Sequence, residues 1–146
     1  AADLYVGPLE STLRHDEIAT EAFFPALPDD AGVAFDEIAR RHGAYALCGV
    51  AAVVRADEAG SITSVRAGYL SVSDLPTVVD LSEAFAAGTL DDASLDAAAD
   101  LALASLDPAA DIHATADYRA HLARVLTKRV VRQAHDDCTA RREGDA

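Results

Sequence analysis

The stretch Arg40-Arg41-His42-Gly43-Ala44-Tyr45-Ala46 is where residue types and spacing could do chemistry. Two guanidiniums, a glycine corner and a phenol precede an unbroken apolar run. A basic turn that opens into a strand can set one aromatic ring at a fixed point against a flat ligand. Other reactive types are scattered. The histidines, at 15, 42, 113, 121 and 135, show no pair at metal-ligand spacing on one helix face with a third acidic ligand. The eight glycines form neither G-x-G-x-x-G nor a P-loop pattern, so the pyrophosphate of a dinucleotide has no evident seat. Cys48 falls in an apolar strand and Cys138 in a polar tail, which fits neither a disulfide framework nor a metal site.

Composition narrows the classes. The chain has 146 residues, enough for one domain with a short arm. About half the residues are hydrophobic (51%), with no Trp and no Met, so the core must be built from Ala, Val, Leu and Ile. A net charge of −13 argues against a nucleic-acid partner, because a phosphate backbone needs clustered cations. One local exception runs along Arg119, Arg124, Lys128, Arg129 and Arg132. That stripe reads either as a solvated helix face or as a docking site for an acidic partner. The start, Ala1-Ala2-Asp3, lacks the basic and apolar regions of a signal peptide. No apolar run is long enough for a bilayer, so no membrane role and a reducing, cytoplasmic location are expected.

The elements that must position the arginine turn follow from pattern. Residues 3–13 read as extended with a turn at Gly7-Pro8. Asp16 to Pro25, with Ile18, Phe23 and Phe24, reads as a strand. Val33 to Ala39 reads as a short strand running into the turn. Ala46 to Arg55 is apolar at both parities, which predicts a central strand buried on two faces. Asp57-Glu58-Ala59-Gly60 predicts a hairpin turn, and 62–72 its antiparallel return. Alternation there places Ile62, Ser64 and Arg66 on one face and Thr63, Val65 and Ala67 on the other. Helices are expected through Phe85 with Asp80 as cap, over Leu95 to Leu106 with Ser94 as cap, and from Thr115 to about Ala134. Residues 135–146 read as a frayed polar tail. Strands first and helices after predict an α+β fold: a small antiparallel sheet of three to four strands with about three helices on one face.

One ordered set of short motifs spans nearly the whole chain. Tyr5-Val6-Gly7 and Thr12-Leu13 lead. Glu17-Ile18-Ala19-Thr20 then runs to Pro25, followed by Phe35-Asp36-Glu37, Arg40-Arg41 and Gly43-Ala44-Tyr45-Ala46. Asp111 to Arg119, Leu122 and Val125-Leu126 close it. This order resembles the third domain of the FAD-binding medium subunit of molybdenum hydroxylases, the carbon monoxide dehydrogenase and xanthine dehydrogenase families. The resemblance implies that residues 1–28 are the tail of a preceding FAD-binding domain plus a connecting strand, and that 29–134 form the C-terminal domain. It implies an oxidoreductase subunit, inactive alone, that caps the flavin isoalloxazine during electron transfer from molybdenum and iron–sulfur centres to an external acceptor. FAD would be held mainly by Gly-Gly loops in domains that these residues do not include. The implied partners are a molybdenum-binding large subunit and an iron–sulfur small subunit. Carried over by position, Tyr45 would pack at the flavin, Gly43 and Ala44 would form the turn presenting it, and Ala19 would sit near the ring. Ala44 departs from the acid common in relatives. Glu37 stands where some relatives have Lys and is left out of the site. The alternative is a non-catalytic interaction module that keeps the fold, binds no FAD and docks a protein through its basic last helix.

Overall fold

The computed structural model describes residues 4–144. Two short strands, β1 (Tyr5–Gly7) and β2 (Glu10–Ser11), form a small hairpin. A long arm without regular structure follows, reaching the main sheet at residue 31. That sheet has the antiparallel order β3 (Ala31–Ala39), β4 (Ala46–Ala56), β5 (Ile62–Leu70), β6 (Thr77–Asp80). A single 3-10 turn (Ser82–Phe85), α1 (Asp92–Ser105) and α2 (Ala116–Gly144) complete the chain. The expected α+β architecture is therefore observed, with the helical layer on one face.

Local chemistry explains the boundaries. Asp80 Oδ1 accepts from Ser82 N–H at 2.9 Å at the entry to the 3-10 turn, and Gly88 ends that segment at φ +75°. The cap of α1 is Asp91 rather than Ser94. Asp91 accepts from the Ser94 N–H, and the Ser94 hydroxyl accepts from the Asp91 N–H, a reciprocal capping box. Thr115 does cap α2, its hydroxyl accepting from Tyr118 N–H at 3.2 Å.

The core is made of small aliphatic side chains. Cys48, Val50, Ala52 and Val54 of β4 meet Val65, Ala67 and Tyr69 of β5 beneath Leu122, Leu126, Val130 and Ala134 of α2. Two side chains from the first two layers close it with a polar link: Tyr69 Oη lies 2.8 Å from Thr127 Oγ1, both buried.

Four expectations are corrected. The segment 16–25 forms no strand: Ile18, Phe23 and Phe24 are exposed, with no neighbouring strand to complete a ladder. Strand β4 is buried at both parities only over its first part, Leu47 to Val50; beyond it Ala51, Val53 and Arg55 are exposed, while Ala52, Val54 and Ala56 stay buried on the face that α2 covers. Ile62 is buried with Val65 and Ala67, because Thr63 bulges: Arg55 pairs Ser64 while Ala56 pairs Ile62. Finally, α2 does not fray at residue 135. It is helical through Gly144, with Cys138 buried and Asp137 Oδ2 accepting the Val33 N–H of the edge strand at 2.9 Å. The remainder of the expected tail, like residues 1–3, lies outside the described residues.

Candidate functional site

The link from β3 to β4 is the arginine turn. Ala44 N–H donates to Arg41 C=O at 3.1 Å, and Gly43 adopts φ +77° between them. A side chain at 43 would meet no atom within 4 Å, so the glycine is required by backbone conformation and not by space. Directly after the turn, a bulge interrupts the β3–β4 ladder: Ile38 pairs Cys48 while Ala39 pairs Ala46, leaving Leu47 unpaired in the register. Between turn and bulge stands Tyr45, 98% exposed. Its ring projects from a ledge at one end of the sheet.

Beneath the ledge lies a cavity of about 980 Å³. Arg40, Gly43, Ala44 and Tyr45 border it on one side, Ser71 to Asp74 on another, and Ala109 to Asp111, His113 and Arg119 on the third. Of the residues expected at the site, the structure brings together Gly43, Ala44 and Tyr45. Ala19 does not join them. It lies exposed in the arm and is absent from the cavity lining.

The polar framework of this cavity centres on Arg119, whose residue is only 7% exposed. One amino group, Nη1, donates to Leu47 C=O at 2.9 Å and also to Ser71 C=O. Nη2 donates to Asp111 Oδ2 at 2.7 Å. Asp111 Oδ1 in turn accepts the backbone N–H of His113 (2.8 Å) and of Ala114 (2.9 Å). Those two amides first, and Arg119 after them, push the Asp111 carboxyl down to about 2, so it is anionic at any ordinary pH. His113 Nδ1 lies 2.8 Å from Arg40 Nη1, and since a guanidinium only donates, the imidazole nitrogen is the acceptor. Ser71 itself is held at φ +62°, a conformation that a non-glycine residue keeps only when its surroundings fix it.

Sequence reasoning missed Arg119 as a member of this site. It placed that residue in a basic stripe. The available signal was Asp111 two and three residues before His113 and Ala114, an Asx-turn pattern just ahead of the Thr115 cap. The rest of the stripe proves to be an internal interface. Arg124, Lys128 and Arg132 pair with Asp100, Asp96 and Asp92 on α1, and Arg129 pairs with Asp36 on β3. Cations four residues apart on α2 face acids four residues apart on an antiparallel α1. Each of these four cations therefore has an acidic partner within the chain. Among the described residues, no group of three or more His, Cys, Asp or Glu could hold a metal ion, and no helix is long and apolar enough to cross a membrane.

Comparison with known proteins agrees with the motif order. The family model for the CO dehydrogenase flavoprotein C-terminal domain matches residues 33–134. Over 135 residues the chain is 35% identical to the 6-hydroxypseudooxynicotine dehydrogenase complex subunit alpha of Paenarthrobacter nicotinovorans, covering 90% of this chain and 45% of that protein. It is 32% identical to the carbon monoxide dehydrogenase medium chain of Afipia carboxidovorans, covering 92% and 46%. A solved carbon monoxide dehydrogenase from Hydrogenophaga pseudoflava superposes with a TM-score of 0.82 at 26% identity, covering 94% of this chain and 48% of that one. The chain thus spans about half the length of the relatives it matches. Fold, motif order and family model converge: this chain belongs to the CO dehydrogenase flavoprotein C-terminal domain family.

Proposed function

We propose that this chain is the flavin-capping part of the FAD-binding medium subunit of a molybdenum hydroxylase, with the Tyr45 ring laid against the isoalloxazine. The observation that carries this reading is the combination of full exposure and fixed placement at Tyr45. An aromatic ring 98% exposed gains nothing from this chain's own core. It is nevertheless presented by a glycine-dependent turn on the rim of a cavity of about 980 Å³. A flat ring of that kind offers an offset-stacking surface to a planar ligand.

The residues present suit the ring end of FAD and not its pyrophosphate. Arg40 and Arg41 place positive charge on the ledge side of the cavity, whereas the charge of Arg119 is matched by Asp111 and Asp74 adds a negative one. There is no glycine-rich loop in the sequence to take two phosphates. Bound flavin would supply the passage of electrons, whereas the protein supplies orientation and solvent exclusion. Tyr45 shields one side of the ring from water and oxidant. Gly43 and Ala44 fix where Tyr45 stands, and Ala44, lacking a charge, leaves the local potential to Arg40 and Arg41. Molybdenum-binding and iron–sulfur subunits, in a cytoplasmic heteromer, are the partners this reading requires.

The test is Tyr45→Ala in the flavin-loaded subunit. FAD content stays near wild type, while flavin fluorescence and the rate of reaction with oxygen rise. An unchanged flavin spectrum together with an unchanged oxidase rate removes Tyr45 from the site. In a companion titration, the 146-residue chain alone binds FAD weakly or not at all. Submicromolar affinity there would overturn the view that the pyrophosphate is held elsewhere.

A further inference from the structure

We infer that the Asp111–Ala114 turn is a clamp that fixes the Tyr45 loop at both of its ends, with Arg119 and His113 as the positioning residues. The inference rests on the flavin-facing reading for its purpose, although its geometry stands independently.

The loop has two anchor points. At its entry, Arg40 Nη1 donates to His113 Nδ1 at 2.8 Å. At its exit, Leu47 C=O accepts from Arg119 Nη1 at 2.9 Å. Both anchors lead to one place. The His113 backbone N–H is bound by Asp111 Oδ1 and the Arg119 guanidinium by Asp111 Oδ2, so a single carboxylate ties the two together. The turn holding that carboxylate is itself closed, with Asp111 N–H donating to Ala114 C=O at 3.0 Å. Tyr45 lies between the anchors and touches neither.

The exit anchor falls at the bulge. Leu47 is the residue left over when Ile38 pairs Cys48 and Ala39 pairs Ala46. A bulged residue loses its ladder partner, so its carbonyl is free to take an outside donor, and the strand bends there. Arg119 takes that carbonyl and, with the same Nη1, the carbonyl of Ser71. The planar guanidinium therefore fixes the start of β4, the left-handed residue after β5 and the Asp111 turn at set mutual angles. A lysine ammonium is a single point on a flexible stem and cannot hold three acceptors in that fork geometry.

The clamp predicts local effects. Native-state hydrogen exchange is measured on the full 146-residue chain as wild type, Arg119→Met, Arg119→Lys, His113→Ala and Arg124→Met. In Arg119→Lys, exchange at 45–48 and 71–74 rises roughly tenfold or more, while the amides of β5 and mid-α2 keep their wild-type rates. In His113→Ala, only 41–44 exchange faster. Arg124→Met, which breaks a helix–helix ion pair outside the clamp, leaves the loop unchanged. If Arg119→Met fails to fold, the lysine and His113 variants decide the matter. Wild-type exchange at 45–48 in Arg119→Lys, or an equal rise throughout the chain, overturns the clamp. Flavin fluorescence of the loaded Arg119→Lys subunit then separates the two proposals. A rise like that of Tyr45→Ala supports both. A loosened loop with unchanged fluorescence keeps the clamp and refutes the flavin-facing role of Tyr45.

Discussion

Gly32 is the position where one added methyl group tests how the helical layer is seated. A Cβ there would lie 2.1 Å from the backbone nitrogen of Cys138 and 2.2 Å from the carbonyl oxygen of Ala134. Both obstacles are main-chain atoms of a regular helix, so no side-chain rotation relieves the clash. Ordinary contact begins near 3.4 Å, which requires α2 to retreat by more than about 1 Å along the sheet edge. Such a shift lengthens the Asp137–Val33 hydrogen bond and loosens the packing of Ala134 and Cys138. Overpacking of a close-packed core costs about 1–3 kcal/mol, and a two-sided backbone clash belongs at the upper end. For a chain of this size, about 3 kcal/mol lowers the melting temperature by roughly 6–12 °C. Gly68→Ala is the matched control. It adds the same methyl to β5, two strands away, where the nearest atom is Val78 Cγ2 at 3.9 Å, and the result should be neutral or slightly stabilising. Urea and thermal melts of both variants, read by circular dichroism, give the comparison. Equal stability of Gly32→Ala and Gly68→Ala would refute the seating of residues 134–138 against β3 described above.

Two further outcomes follow from the charges. Burial raises the Cys48 thiol to about 11; it also raises the Tyr69 phenol to about 12, against the opposing effect of its hydrogen bond with Thr127. Both groups stay protonated in the fold after their unfolded counterparts ionise, so stability is intact below about pH 9 and falls as pH rises toward 12, by up to about 1.4 kcal/mol per pH unit for each group. Urea midpoints between pH 8 and 11 should show that slope, and Cys48→Ala should flatten its lower part; a flat profile in the wild type contradicts the burial. On the α1–α2 ladder, Asp96→Lys sets like charges opposite Lys128 and should cost about 1 kcal/mol at low salt, mostly recovered at 0.5 M NaCl as screening shortens to a few ångströms (~4 Å). A loss insensitive to salt would place its origin in packing instead.

The parts of this fold that could be read from sequence are those set by local chemistry. The β4–β5 hairpin followed from Asp57 to Gly60, and the start of α2 followed from the Thr115 cap. Most of the failures originate in contacts distant in sequence. Helix α2 continues past Ala134 because Cys138 is covered by β3 and Asp137 meets the Val33 N–H, 104 residues away. Ser94 looked like a cap on type alone, yet Asp91 forms the N-cap and Ser94 answers it from three residues on. Apolar residues at both parities of β4 suggested two covered faces along its whole length, which holds only as far as Val50, because parity reports composition and not which layers exist on each side. At the site, the turn and its tyrosine were legible because glycine and aromatic side chains carry their requirements with them. Arg119 was not. Two of its three partners are main-chain carbonyls, which leave no trace in side-chain identity, and the third, Asp111, signals a turn and not an ion pair.

Exposure alone does not distinguish Tyr45 from other surface aromatics. Phe23 and Phe24 are nearly as exposed, at 88% and 84%. They sit in an arm without regular structure, where no hydrogen bond or ladder fixes the backbone beside them. Tyr45 differs in what flanks it: a positive-φ glycine two residues before, a bulge two residues after, and a buried guanidinium on the bulged carbonyl. None of these contacts the phenol, and none is improved by it, so removing the ring costs the isolated chain little. Desolvating an arginine to hold a loop lowers the net gain available from that residue. An arrangement of this sort fixes the backbone from which a side chain that the core does not use projects. On the flavin-capping proposal, the ring that projects there would stack against a planar ligand from outside this chain.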